Sequence, residues 1–344
     1  MRTPLRVVQW ATGNIGRKGL RGIIEHPAMT LAGVHVYDPG KIGRDAGELC
    51  GLAPVGVSAT GTVDEVLAAA PDCVLYMPRA FDADDVCRLL DAGINVVATC
   101  GQFHHPAGMD PALRERVESA CRNGNASVHS TGSSPGFISE AIPLVLTSLQ
   151  RRLEGIVIEE NADMSQRDSP ELLFDLMGFG RDLAPFDQFR ADYLAGSFGP
   201  SLRQLGDALG LPLDEITAGG ELAATPREVP IAAGTLKAGT VAAQRITITG
   251  KRAGEPLITF RATWYCATEL EPAWELRETG WHVSVAGDAP LEVTLRMPIP
   301  LDRVAETTPG YTANRAVNMV AEVCAADPGI RTTADLPQPV PVFG

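Results

Sequence analysis

Residues 7–20 read VVQWATGNIGRKGL, an apolar run that passes straight into a glycine-punctuated turn. The spacing is that of G-x-G-x-x-G, with Ala11, Gly13 and Gly16 in the three small-residue places. Each place has a physical reason: a tight turn, close approach of backbone to a pyrophosphate, and close packing of helix on strand. Gly13 keeps the close approach. Ala11 adds one methyl, which the turn accepts if its φ is negative. The turn Ala11, Thr12, Gly13, Asn14, Ile15 and Gly16 is therefore the predicted phosphate cradle. The helix after it supplies free N–H groups and the positive end of its dipole.

The next apolar run ends in VHVYDPG, which puts Asp38 22 residues beyond Gly16. That is the distance at which such a fold carries the acid that binds the adenosine ribose. Asp38 accepts from a 2′-hydroxyl and favours NAD. Lys41 and Arg44, just beyond, are placed for the 2′-phosphate of NADP, so both coenzymes stay open.

Outward from the turn, the first 150 residues alternate short apolar runs with amphipathic segments. Strands are expected over 5–10, 31–37, 73–77, 95–99 and 126–130, and helices over 15–25, 63–69, 84–92 and 111–123. Strands apolar throughout, each followed by a helix, make a parallel sheet covered on both faces, the doubly wound α/β fold. Beyond residue 150 the rhythm changes. A strand is expected over 156–160, helices over 170–177 and 189–209, then strands over 241–249, 257–266, 281–285 and 291–297. In QRITITGK, Ile246 and Ile248 face one way and Arg245, Thr247 and Thr249 the other, the pattern of a mixed α+β sheet with one open face. A helix over 313–326 and an irregular tail close the chain. The expected domains are 1–150 for the dinucleotide, 151–312 for substrate and dimerisation, and 313–344 packing back on the first. The open face is expected to be covered in a homodimer, since an apolar sheet face in water is costly.

Composition narrows the partners. Twenty-nine Lys and Arg against 42 Asp and Glu leave a net charge of −13, which disfavours nucleic acid and anionic membrane. No apolar run approaches the ~18 residues of a membrane span, and a strand begins at once, leaving no room for a signal peptide. The seven cysteines form no C-x-x-C pair, so neither a disulfide framework nor a metal knuckle is expected, and a cytoplasmic setting is.

Five stretches, WATGNIGRKGLRGII, GRDAGELCG, VHSTGSSPGF, SPELLFDLMGFG and TANRAVNMVAEVCAADPGIRT, resemble the dihydrodipicolinate-reductase-like family. They resemble most its branch of 2,4-diaminopentanoate dehydrogenases and native amine dehydrogenases, over nearly the whole chain. The resemblance implies a Rossmann domain joined to an open-faced domain that dimerises. It also implies reversible NAD(P)-dependent conversion between an amine and a carbonyl compound plus ammonia. The lysine-pathway reductase itself is excluded, because His104 and His105 are followed by Pro106, Ala107 and Gly108 with no lysine and no P-S-G-T.

In the amine dehydrogenases a glutamate after the V-V-x-T-C strand end handles the proton. Here that stretch is VVATCGQFHH, with Gly101 and Gln102, and an amide does not take a proton at neutral pH. Gln102, His104, His105, His129 and Glu160 are the candidates for positioning or moving it. The TGSSPGF loop, with Ser134 and Pro135, and Met77 at its strand end, are expected beside the nicotinamide. Asn161, Phe137, Phe174 and Tyr265, with Phe179 and Trp264, are expected to line the substrate pocket. The leading function is an amine dehydrogenase; the alternatives are a coenzyme-binding paralogue without turnover and an ammonia-independent carbonyl reductase.

Overall fold

A computed structural model describes residues 3–343. The chain divides into two compact units, one formed by everything up to Phe137 together with everything from Thr308 onward, the other by Ile138–Thr307.

The first unit is a wholly parallel sheet. Its strands are β1 (Leu5–Trp10), β2 (Met29–His35), β3 (Ala59–Thr60), β4 (Cys73–Tyr76), β5 (Asn95–Ala98) and β6 (Ser127–Ser130), joined by the chain's last strand, Gly329–Arg331. They lie in the order last strand, β6, β5, β4, β1, β2, β3. Alternation sends Val8 and Trp10 into one core, with Tyr76, Leu89, Leu90, Val117 and Val128. Val7 goes to the other face with Ile23, Leu75 and Val97, where Val317, Val320 and Val323 of the helix Pro309–Ala325 cover it. Burial of each such side chain is worth about 1.5–3 kcal/mol. The tail expected to be irregular thus supplies a strand. Gly329–Arg331 pairs with β6 in register with Ser127–His129, satisfying an edge that would otherwise stand open.

The second unit carries a six-stranded sheet. Its strands are β7 (Leu153–Asp163), β8 (Glu215–Ala224), then a separate two-stranded hairpin β9 (Val229–Ile231) and β10 (Gly234–Leu236), then β11 (Val241–Arg252), β12 (Glu255–Tyr265), β13 (Gly280–Gly287) and β14 (Leu291–Arg296). The sheet order is β14, β13, β7, β12, β11, β8, with β7 and β12 the parallel pair. The helix Gln188–Ala208 covers one face, where Phe198 stacks on Phe260 with ring centres 4.0 Å apart. Ile246 and Ile248 are buried, while Arg245, Thr247 and Thr249 are partly exposed, as alternation requires.

The other face corrects the reason given for dimerisation. It is polar rather than apolar: Glu159 is shared by Arg261 at 3.0 Å and Arg277 at 3.3 Å, and Arg245 lies 4.3 Å above the Trp274 ring. Thr259, Thr263 and Ser284 lie on the same face, together with Val157, Asn161 and His282.

Candidate functional site

The cradle begins with a conformation the sequence reading did not allow. Ala11 has φ of +70°, in the left-handed region that costs an L-residue about 1–2 kcal/mol. The surroundings hold it there. Its N–H donates to the His35 carbonyl at 2.8 Å, and its carbonyl accepts from the Gln9 side-chain amide at 2.9 Å. Gln9 is fully buried in β1 and so anchors the turn from beneath. The first glycine's place is filled by a methyl kept in a glycine-like conformation.

The other two small residues divide their work. A Cβ on Gly16 would stand 2.1 Å from the Ala11 carbonyl oxygen, so this glycine lets the helix α1 (Asn14–Glu25) meet the strand. A Cβ on Gly13 would meet nothing within 4 Å. Gly13 precedes the first turn of α1, which has no side-chain cap and no acidic residue. The orphan N–H groups and the positive dipole end thus face open space, and these residues fit the pyrophosphate of a dinucleotide. Asp38 caps the turn Pro39–Lys41 by accepting from the Gly40 N–H at 2.9 Å. The Lys41 ammonium lies 3.4 Å from both the Thr12 carbonyl and hydroxyl, which brings the cation to the cradle itself. Arg44 is exposed. Behind the turn, the Trp10 indole stacks on His35 at 4.0 Å and donates to the Tyr37 hydroxyl at 2.8 Å.

The TGSSPGF loop follows β6. Two of its hydroxyls, on Thr131 and Ser134, are buried without a hydrogen-bond partner. Such groups are costly unless a ligand or water completes them. Thr131 was not singled out in sequence; its only signal is that it follows a strand end. Ser134, Pro135 and Gly136 are non-helical, a kink after which helix resumes and runs on through Ile142–Thr147. The Phe137 ring lies 5.8 Å from the Arg315 guanidinium. Met77 is buried in the core, its thioether packed where Gly19 leaves room.

Among the proton candidates, Gln102 is exposed on the turn Gly101–Phe103. The Ser130 hydroxyl pins that turn, accepting from the Phe103 N–H at 3.2 Å and donating to the Cys100 carbonyl at 2.6 Å. Burial pushes the Cys100 thiol up to about 12, which removes it as an acid at neutral pH. His129 is on the strand β6, but it is 1% exposed, with Nδ1 2.8 Å from the Arg331 carbonyl, because the chain's last strand pairs on that side of β6. His104 and His105 are also buried.

In the second unit, Glu160 and Asn161 are neighbours on β7 and point to opposite faces. Glu160 shares its face with Trp281, whose indole N–H donates to it at 2.9 Å. Asn161 is 6% exposed on the other face and borders a cavity of about 330 Å³ with Trp281, His282 and Arg296. The two residues expected in one pocket are separated by the sheet. Phe174 packs on Gly180 and Gly234 against a subsidiary core that contains Phe179 and Tyr265. The Tyr265 hydroxyl donates to the Arg277 carbonyl at 2.9 Å, and burial pushes it up to about 12. Among the described residues no group of three or more His, Cys, Asp or Glu is arranged to hold a metal ion.

Comparison with known proteins gives a consistent result. Residues 178–344 match the model of the 2,4-diaminopentanoate dehydrogenase C-terminal domain. The chain is 30% identical to an amine dehydrogenase of Streptomyces virginiae, across 97% of this chain and 96% of that one. It is 24% identical to the 2,4-diaminopentanoate dehydrogenase of Acetoanaerobium sticklandii, across 83% of this chain and 79% of that one. The structure of an amine dehydrogenase from Mycobacterium smegmatis shares the fold, with a TM-score of 0.75 at 19% identity over 98% of both chains.

Proposed function

The chain belongs to the family of amine dehydrogenases and 2,4-diaminopentanoate dehydrogenases, oxidoreductases of C–N bonds, and from that premise we propose that it interconverts an amine with its carbonyl compound and ammonia, using NAD or NADP. The observation that carries the proposal is the open space before Gly13, faced by the uncapped first turn of α1. When bound, the coenzyme supplies the two-electron acceptor or donor.

The chain's own residues do the rest. Gly13 and the N–H groups of the first turn hold the pyrophosphate. Asp38 accepts from the ribose hydroxyls, with Lys41 and Arg44 at hand for a 2′-phosphate. The unsatisfied hydroxyls of Thr131 and Ser134 hydrogen-bond the coenzyme's polar groups. Amine oxidation releases a proton, and Glu160, oriented by the Trp281 indole, is the carboxylate we assign to accept it. Gln102 positions an amine or water by hydrogen bonding. We further propose a homodimer joined through the polar open face, where the Glu159, Arg261 and Arg277 group supplies register rather than apolar area. Seven unpaired cysteines support a reducing, cytoplasmic setting; among the described residues no helix is long and apolar enough to cross a membrane.

The test is absorbance at 340 nm with each coenzyme against a panel of ketones, with and without ammonia. Ammonia-dependent consumption is the expected result. Ketone reduction without ammonia replaces it with the carbonyl-reductase reading. Tight coenzyme binding with no turnover across the panel replaces it with that of a binding paralogue.

A further inference from the structure

Tyr37 lies just beyond β2 and immediately before Asp38, and it is turned the opposite way from an ordinary surface tyrosine. A tyrosine at the surface buries its apolar ring and leaves its hydroxyl in water. Here the hydroxyl points inward, where it accepts from the Trp10 indole N–H at 2.8 Å, and Trp10 is fully buried. Burial around that oxygen raises its pKa above the ordinary tyrosine value. Yet Tyr37 is 56% exposed, so the surface left to face water is its ring. His35 meets the ring at 5.1 Å with the two planes 84° apart. An edge contact of this kind leaves at least one face of Tyr37 free.

Tyr76 and Tyr265 also bond their hydroxyls, to the Asp82 N–H and the Arg277 carbonyl, but both keep their rings buried. The anchor of Tyr37 also fixes where its exposed ring lies. β1 and β2 are neighbouring parallel strands, with Trp10 in register with His35, and ligand crevices form outside such strand ends. Trp10 is the residue before Ala11, where the cradle begins, as Tyr37 is the residue before Asp38. Trp10 stacks on His35 at 4.0 Å and lies against Tyr76 at 5.5 Å, so the hydroxyl is held by a packed aromatic cluster. A ring held at both its backbone and its hydroxyl loses little further freedom when something flat is laid on it.

We propose that the exposed face of Tyr37 is the shelf on which the planar base of the coenzyme stacks, and that the protein recognises this base by its flat face rather than by its hydrogen-bonding edge. The proposal rests on the coenzyme reading above. The polar groups beside the ring are already committed. The Tyr37 hydroxyl is taken by Trp10, the Gly40 N–H by Asp38, and Pro39 has no N–H to offer. What remains is the ring itself, and stacking on an aromatic ring tolerates a change of base because every base has such a face. Dinucleotides that differ only at the edge of the base should therefore bind alike.

The experiment is calorimetry on the full chain with whichever of NAD and NADP binds tighter, and with its hypoxanthine counterpart, in which a carbonyl replaces the adenine amine. The proteins are wild type, Tyr37→Phe, Tyr37→Leu and Tyr37→Ala, each checked first by thermal melt. Wild type is expected to bind the two dinucleotides within about fivefold of each other. Tyr37→Ala and Tyr37→Leu should lose on the order of 10- to 100-fold for both, since leucine is apolar without being flat. Tyr37→Phe keeps the ring and gives up the bond to Trp10, so it should stay within about fivefold of wild type. In turnover the loss should appear in KM for the coenzyme, with kcat unchanged. If Tyr37→Ala does not fold, Tyr37→Leu against Tyr37→Phe makes the same comparison. Wild-type affinity in a folded Tyr37→Leu protein overturns the shelf. So does a loss in Tyr37→Phe as large as that in Tyr37→Leu, which would make the residue an anchor for the strand ends. A hypoxanthine dinucleotide bound more than about fivefold weaker by wild type overturns recognition by the face alone. Wild type that binds neither NAD nor NADP overturns the shelf and the coenzyme reading together. The expected ranking of variants with no turnover of any substrate upholds the shelf and defeats the amine-dehydrogenase reading.

Discussion

Gly13 and Gly16 stand three residues apart in one motif, and substituting them should have opposite consequences. A methyl on Gly16 would sit 2.1 Å from the Ala11 oxygen, 2.9 Å from its carbonyl carbon and 3.2 Å from the Gln9 amide nitrogen. The first two are backbone atoms, so the turn itself must move. Overpacking of this kind costs about 1–3 kcal/mol, and loss of the Gln9 bond adds about 1 kcal/mol. Better helix propensity of alanine returns about 1 kcal/mol. Gly16→Ala should therefore cost about 1–3 kcal/mol, and at about 2–4 °C per kcal/mol lower Tm by roughly 2–12 °C. Gly13 has φ of −72° and open space around it, so Gly13→Val should cost no more than about 1 kcal/mol, the loss of a favourable N-terminal glycine. Its effect should fall on the coenzyme, because the branched side chain fills the space in front of the free N–H groups. Thermal and urea melts by circular dichroism give the first quantity; calorimetric titration with NAD and NADP gives the second. A folded Gly13→Val protein with wild-type coenzyme affinity would refute the cradle. A Gly16→Ala protein as stable as wild type would refute the packing argument.

Glu160→Gln should lower kcat by about 10²–10⁴-fold and remove one ionisation from the pH–rate profile; an unchanged profile means that the proton leaves by another group, and gain of activity in Gln102→Glu would locate it at the turn after β5. His129→Ala should destabilise the first unit by about 2–4 kcal/mol in urea melts, from the lost bond to Arg331 and the cavity left behind, while the folded protein keeps its coenzyme affinity. A loss of turnover without a loss of stability would return His129 to the chemistry. The Asp45 carboxylate accepts from the N–H groups of Val55, Gly47 and Gly56 at 2.9, 2.7 and 2.8 Å, and these bonds, Val55 first, hold its pKa below the usual aspartate value. Its contribution is therefore present above the unfolded value near 3.8 and lost as pH falls through the folded one. Asp45→Asn should be less stable than wild type at neutral pH, and the gap should close on acidification; a gap that stays constant would show that charge plays no part.

Much of the first unit was legible because its strands are apolar along their whole length and each is followed by an amphipathic helix. What escaped was non-local. Gly329–Arg331 is three residues with no hydrophobic pattern, and it is a strand only because β6 offers an edge. The same pairing hid the position of His129, whose burial depends on residues about 200 positions later. β8 was not among the expected strands, and it carries Gly219 and Gly220; the Phe186 ring occupies the space a Cβ on Gly220 would need. The cradle was readable because it is local, yet the sign of φ at Ala11 was not, since it is set by bonds to Gln9 and His35. Glu160 and Asn161 are a different case. The period of two that separates them was available from the sequence, and the strand applies it. Tyr37 read only as the end of a strand, because which end of its side chain faces outward is set by Trp10 on the neighbouring strand and not by residue order.

The closing strand also has a consequence for how the protein is made. The first unit's sheet uses residues from both ends of the chain, with all of Ile138–Thr307 intervening. On the ribosome, β1 to β6 emerge long before Gly329–Arg331, so the β6 edge and the face later covered by Val317, Val320 and Val323 wait exposed while the whole second unit is synthesised. A gene cut after Phe137 should therefore yield an aggregation-prone fragment rather than a portable coenzyme-binding module. Joining the native termini and opening the chain within the surface turn between β11 and β12 should be far less disruptive, since every strand would keep its neighbour.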